Sequence, residues 1–249
     1  MPTGADLLGE FEEHSSAGIR ALLAAGVSAT EPICGKRPID VLIEMYLRSS
    51  RFAECLQIML DAGATLDDPL LQALLLDDDT ALRELLSVSG ESLGRKLNLL
   101  CAFTSCRGVT ALHICAEFNS TRCARVLLDA GADVNARADM DENGLGGQPP
   151  LFHAVNSIFN YCRPVMELLV DAGAELDLRV QSTLWGESMS WETVVYDVTP
   201  ISYAQCGLYR QFHRREEHVY SNIAYMHRKR FGSEPPMRNV PNKYLVQGH

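Results

Sequence analysis

The sequence predicts an all-α solenoid of stacked helix pairs in which one connecting loop is enlarged into a β-hairpin. Three observations carry this expectation. A helical stripe ends at a glycine five times at identical offsets: Gly18, Ala21, Leu22 and Ala25 before Gly26; Cys55, Ile58, Met59 and Ala62 before Gly63; Leu82, Leu85, Leu86 and Ser89 before Gly90; Cys123, Val126, Leu127 and Ala130 before Gly131; and Val165, Leu168, Leu169 and Ala172 before Gly173. That spacing lays one helix face against a neighbour, and glycine accepts the left-handed backbone that stops a helix. A helix-start signal also recurs, at Arg37-Pro38-Ile39, Asp68-Pro69-Leu70, Thr110-Ala111-Leu112, Pro149-Pro150-Leu151 and Thr199-Pro200-Ile201. Proline suits the first helical position because its missing N–H would lack a partner there. The third observation is the stretch from Leu178 to Val198, rich in aromatic and β-branched residues around Gly186, which reads as a hairpin.

The best-defined unit runs from Gly108 to Arg137. Thr110 is placed to cap a first helix, Asn119 and Ser120 break it, and a second helix ends at Gly131. This stretch resembles an ankyrin repeat, whose signature Thr-Pro-Leu-His-x-Ala-Ala…Leu-Leu-x-x-Gly-Ala-Asp-Val-Asn is matched by Thr110, Leu112, His113, Ala116, Leu127-Leu128 and Gly131-Ala132-Asp133-Val134-Asn135. A unit of about 33 residues cannot bury its apolar face alone, so the resemblance demands neighbours. It implies an ankyrin-repeat α-solenoid with a β-hairpin finger insertion, His113 serving as the structural histidine of its helix start.

Taken in order, the signals give an array over residues 1–232 with units starting near 3, 37, 68, 110, 149 and 199. The first unit packs Leu7, Leu8 and Phe11 on its second helix and shows no clean start motif. The second has a first helix from Pro38 to about Leu47 and extra turn residues, Arg48 to Arg51. The third, Asp68 to Gly90, is compact. A long loop before Thr110 carries Leu97, Leu99, Leu100 and Phe103, expected to fold onto the array. The loop after Asn135 is about six residues longer than the repeat needs, and its tip, Asp139 to Gly147, reads as solvated and mobile. In the fifth unit Phe152 occupies the motif's histidine position and His153 follows it. The last unit places Ile201, Tyr203 and Ala204 on one helix and Val219, Ile223 and Met226 on the next, ending at Gly232. Residues 233–249, with three prolines, form an extended C-terminal tail that can lie along the last unit through Val240, Tyr244 and Leu245.

Composition narrows the function. With 32 acidic against 22 basic residues, the chain has a net charge of −10, which disfavours nucleic acid or an anionic membrane as main partner. No apolar run approaches the roughly 20 residues of a membrane span, and the N-terminus has neither a basic lead nor an apolar core. Of eight cysteines, Cys55, Cys115, Cys123 and Cys162 fall at or beside buried helical positions, which points to free thiols in a reducing cytoplasm. Cys101 and Cys106 lack matching ligands nearby and read as loop thiols. No phosphate-cradling loop, zinc-protease helix or nucleophile elbow occurs, so neither a catalytic residue nor a cofactor or metal is expected. His213, His218 and His227 do not share a helix face, and the basic run from 227 to 230 suits a helix C-terminus.

What the resemblance implies is non-enzymatic protein recognition on fingers and first helices. The candidate partner-binding residues are Asp139, Asp141 and Glu142 on one loop, and Trp185, Glu187, Trp191, Glu192 and Tyr196 on the hairpin, an aromatic anchor with an acidic rim for a basic partner. The opposing reading has the two tryptophans clamping the hairpin onto its own repeat. The array is expected to act as a monomer. Rivals are an enzyme or metal-dependent protein with a site between the hairpin, Cys206 and the histidines of the last unit, and a self-associating structural module.

Overall fold

The computed structural model describes residues 2–88, 93–100, 103–187 and 189–236. Twelve α-helices among them form six antiparallel pairs: α1 (Leu7–Glu12) with α2 (Ser16–Ala24), α3 (Pro38–Glu44) with α4 (Phe52–Asp61), α5 (Pro69–Leu76) with α6 (Asp79–Val88), α7 (Ala111–Phe118) with α8 (Thr121–Asp129), α9 (Leu151–Val155) with α10 (Arg163–Asp171), and α11 (Pro200–Gln205) with α12 (Glu216–Phe231). Helices pack on their counterparts in the next pair except between the second and third pairs, where α4 meets α5, and one apolar core runs through the stack. Two antiparallel hairpins interrupt it: β1 (Leu97–Leu99) with β2 (Cys106–Val109), and β3 (Val180–Trp185) with β4 (Thr193–Val198). Ser89, Gly90, Cys101 and residues 237–249, including Val240, Tyr244 and Leu245, lie outside the described residues.

The buried stripe of the second helices differs from the expected one by a position. Ala25, Ala62, Ala130 and Ala172 are exposed, while Ile19, Leu56, Ala124 and Met166 are buried. The four alanines are C-cap residues. The chain leaves the helix there, so a residue in phase with the buried face has no packed neighbour to cover it.

Neighbouring pairs also cap one another. Asp77 and Asn119 both take left-handed backbone at the turn of their own pair. From there Asp77 accepts from the backbone N–H of Arg122 (3.3 Å) and Cys123 (2.8 Å) at the start of α8, and Asn119 accepts from that of Val165 (3.2 Å) in α10. Orphan donors of a helix start are thus met by the preceding pair.

Several local expectations need correction. The first unit does have a start motif, because the backbone N–H of Thr3 donates to the Asp6 carboxylate at 2.6 Å. Helix α3 stops at Glu44, since Met45 turns to extended backbone and carries the chain away from the helix axis. The long loop before Thr110 is partly the β1–β2 hairpin. Leu97 is buried and Leu99 and Phe103 are half-buried, but Leu100 is 66% exposed. The Asp139–Gly147 tip is tied down rather than mobile. Gly146 N–H donates to the Ser182 carbonyl (3.0 Å), Ser182 Oγ donates to the Gly144 carbonyl (2.8 Å), and Asp141 accepts from the backbone of Asn143 and Leu145 (2.9 Å each).

Candidate functional site

Three enlarged loops meet on one edge of the stack: the β1–β2 hairpin, the 139–147 loop and the β3–β4 hairpin. Strand β3 is buried from Ser182 to Trp185, so both of its faces are covered. Its free edge takes the 139–147 loop, through Gly146 N–H and the Ser182 carbonyl, and its Trp185 ring lies against Phe212. A cavity of about 190 Å³ separates the three, lined by Asn98, Arg107, Asp139, Asp141, Gln148 and Thr183 among others. A second groove of about 530 Å³ lies further along the edge, where Leu71 and Leu100 are flanked by Arg37, Asp40, Glu44 and Asp68. Its charges are largely met inside the chain, by Arg37–Asp40 at 2.7 Å, Lys36–Glu44 at 2.5 Å and an Arg95–Asp68 ion pair.

The two tryptophans have different fates. Trp185 is 1% exposed. Its ring is stacked between Phe103 (4.6 Å, 12°) and Phe212 (4.1 Å, 8°), with the Arg214 guanidinium 5.1 Å from the ring centre. Gly186 N–H donates to the Phe103 carbonyl at 2.8 Å, so the inserted loop pairs with the end of β3. Trp185 is therefore covered within the chain, an arrangement in keeping with the reading that it clamps the hairpin. Burial of a large ring in a stack outweighs its exposure on a projecting loop. Trp191, 36% exposed, leans on Phe103 at 5.7 Å, and Tyr196 is 70% exposed.

The acidic candidates are unequal. Asp139 pairs with Lys96 (3.2 Å) and Glu187 with Arg107 (2.7 Å), so each is already balanced within the chain. Asp141 spends an oxygen on its own turn. Glu142 and Glu192 are exposed. Met140, 64% exposed, adds an apolar surface that the sequence reading did not include.

The residues proposed for the rival site are not assembled. Cys206 is buried, and burial raises its thiol above the ordinary value, which suppresses the nucleophilic thiolate. His213 sits in an exposed turn, whereas His218 and His227 lie on α12. The basic run at the end of α12 is engaged: Lys229 with Asp171 (2.7 Å) and Arg230 with Asp177 across the stack, and Arg228 with Glu234 (2.7 Å) just beyond the helix.

What the sequence reading missed is a buried polar chain through the middle of the stack. Glu117, on a helix whose eight residues are all buried, accepts from Arg48 Nε (3.1 Å), and its other oxygen lies 3.0 Å from His153 Nδ1. Cys106 Sγ is 3.8 Å from the same nitrogen. Burial alone would push the Glu117 carboxyl up, but Arg48 and His153 together hold it below its ordinary value. Cys106 is a core thiol on β2, not a loop thiol. One signal was legible: a carboxylate in an otherwise apolar helix needs a cation. Its partner, 69 positions away, was not.

His113 sits beside this chain. The backbone N–H of Thr110 donates to its Nδ1 (3.1 Å), which makes Nδ1 the acceptor and leaves Nε2–H to donate to the Gln148 carbonyl (2.9 Å). Burial, then the neighbouring His153, drives its pKa well below the ordinary value, so it stays neutral. It ties the start of α7 to the loop leading into α9.

A match to a family model agrees with this architecture. A family model described as ankyrin repeats, with three copies, matches residues 45–180. Among solved structures, the human ASB11 ankyrin repeat domain is similar at 22% identity over 70% of this chain and 71% of its own, with a TM-score of 0.32. Because the family model spans more than half of its length, the chain belongs to the ankyrin repeat family.

Proposed function

We propose that this chain is a non-enzymatic recognition module that binds a partner protein through the edge formed by its enlarged fingers. Ankyrin repeats are in general protein-interaction modules, and stacked helix pairs suit that task because their surface is ordered before binding, which lowers the entropic cost of association. The observation that carries the reading is the exposed set Met140, Trp191 and Tyr196 on two fingers that are themselves hydrogen-bonded to each other and to the β1–β2 segment. Aromatic and methionine side chains held on a rigid support are the usual anchors of an interface.

Glu142 and Glu192 border these anchors, and Asp139, Asp141 and Glu187 lie on the same loops. Together with the overall charge of −10, they favour a partner with a basic face. The reading places the binding array over the six pairs and takes the chain to act as a monomer in the cytoplasm. Seven free cysteines among the described residues, six of them buried, support a reducing setting. Among the described residues no helix is long and apolar enough to cross a membrane.

The test is affinity capture from native lysate with the full chain and with a Trp191→Ala/Tyr196→Ala variant. Partners held by the full chain and lost from the variant are expected. If every partner is retained by the variant, and also after both loops are cut to repeat length, the fingers are not the binding edge.

A further inference from the structure

We propose that Cys106, Glu117 and His153 form a structural zinc site inside the stack. This goes beyond partner recognition and does not depend on it. The three residues come from β2, α7 and α9, which belong to the inserted hairpin and to two successive pairs. One donor atom from each, Cys106 Sγ, a Glu117 carboxylate oxygen and a His153 ring nitrogen, lies within 4.8 Å of the other two. Zinc takes thiolate at about 2.3 Å and imidazole or carboxylate at about 2.0 Å, so tetrahedral geometry sets its donors roughly 3.3 to 3.7 Å apart. Here Nδ1 of His153 stands 3.0 Å from Glu117 Oε2 and 3.8 Å from Cys106 Sγ. Two sides of the donor triangle are thus close to the size the ion requires, and the third is within 4.8 Å.

The surroundings also resemble a metal centre. Glu117 turns its other oxygen to Arg48, which orients the carboxylate and leaves Oε2 toward the proposed ion. Gln148, whose Nε2 stands 3.5 Å from His153 Nε2, flanks the ring on its far side, and on metal binding its amide turns so that Oε1 accepts the Nε2–H. A mixed sulfur, nitrogen and oxygen set suits zinc and excludes magnesium and calcium, which require oxygen alone. On binding, Zn–S forms as the Cys106 S–H bond breaks and that proton leaves to solvent, while the proton by which His153 Nδ1 is bonded to Glu117 moves to Nε2 and frees Nδ1 for the ion. Thiolate and carboxylate then cancel the two charges of the ion. Because Cys106, Glu117 and His153 are each 5% exposed or less, no substrate reaches the site and the ion acts on stability alone. Entry needs a transient opening of the stack, so uptake is slow.

The experiment uses the full chain, stripped by chelator and titrated with Co²⁺ and Zn²⁺. One Co²⁺ per chain is expected, with a thiolate-to-cobalt charge-transfer band that Zn²⁺ abolishes, one proton released per ion and a higher melting temperature. Cys106→Ser loses the band, whereas Cys34→Ser, which removes an exposed thiol, keeps it. X-ray absorption on the zinc-loaded wild-type chain, expected to show one sulfur neighbour, decides the matter should Cys106→Ser fail to fold. Absence of the band, its persistence in Cys106→Ser, or a zinc shell without sulfur overturns the proposal and leaves the three residues as a hydrogen-bonded core group.

Discussion

Arg48 and Glu117 form a buried ion pair at 3.0 Å that joins the second helix pair to the fourth, passing over the third. In a repeat stack each unit normally touches only its neighbours. The exception arises where Met45 to Arg51 leave the helix and carry Arg48 inward. There Arg48 also lies over the Phe118 ring at 4.3 Å, and Phe52 meets Phe118 at 4.9 Å.

Arg48→Ala is expected to lower stability by about 3–5 kcal/mol, because it strands a carboxylate in the core. Arg48→Met with Glu117→Gln, which removes both charges, recovers part of that loss. Urea denaturation of the three proteins checks it: equal losses in single and double variants would show that the pair contributes nothing beyond packing.

Trp185→Ala is expected to cost about 3–5 kcal/mol, since it opens a cavity between Phe103 and Phe212. Tyr196→Ala, at an exposed strand position, changes stability by less than about 1 kcal/mol. Thermal unfolding of both separates the clamp from the exposed edge. A Trp185→Ala chain as stable as wild type would contradict the stack.

Gly146 has φ +122, and an added Cβ would stand 2.3 Å from the Asp139 carbonyl oxygen. Gly146→Ala is therefore expected to lift the 139–147 loop from β3, at a cost of at least about 1–3 kcal/mol in backbone strain. Hydrogen exchange reads this directly. Gly146 and its neighbours, protected in wild type, exchange faster in the variant while α7 and α8 do not.

Acid should weaken the fold above the carboxylate range. Burial, with Arg48 and Arg51 nearby, lowers His14 from 6.5 to about 4. The unfolded chain then binds more protons than the folded one between those values, so stability is complete above pH 6.5 and falls as pH drops toward 4. The contribution of His14 is on the order of 2–3 kcal/mol, and the neutral His113 acts in the same direction. His14→Asn keeps the left-handed backbone at φ +48 and should show a shallower loss between pH 7 and 5. An unchanged slope would mean that His14 titrates freely in the folded chain.

The glycine helix stops, the Thr110 helix start and the place of the β3–β4 hairpin were readable from local signals. Glycines at 26, 63, 131 and 173 end helices with positive φ, and Thr110 begins α7 where its motif says. Such signals are local, because a cap or a turn is decided by backbone groups a few residues away. Trp185 shows the opposite case. Its sequence neighbourhood is that of an exposed finger, and it is buried only because Phe103 and Phe212, brought from other units, close on both faces of the ring. The same holds for Arg48, Cys106, Glu117 and His153. A charge or thiol acquires its role from whatever the stack places beside it, and that pairing depends on three-dimensional packing that no local period encodes.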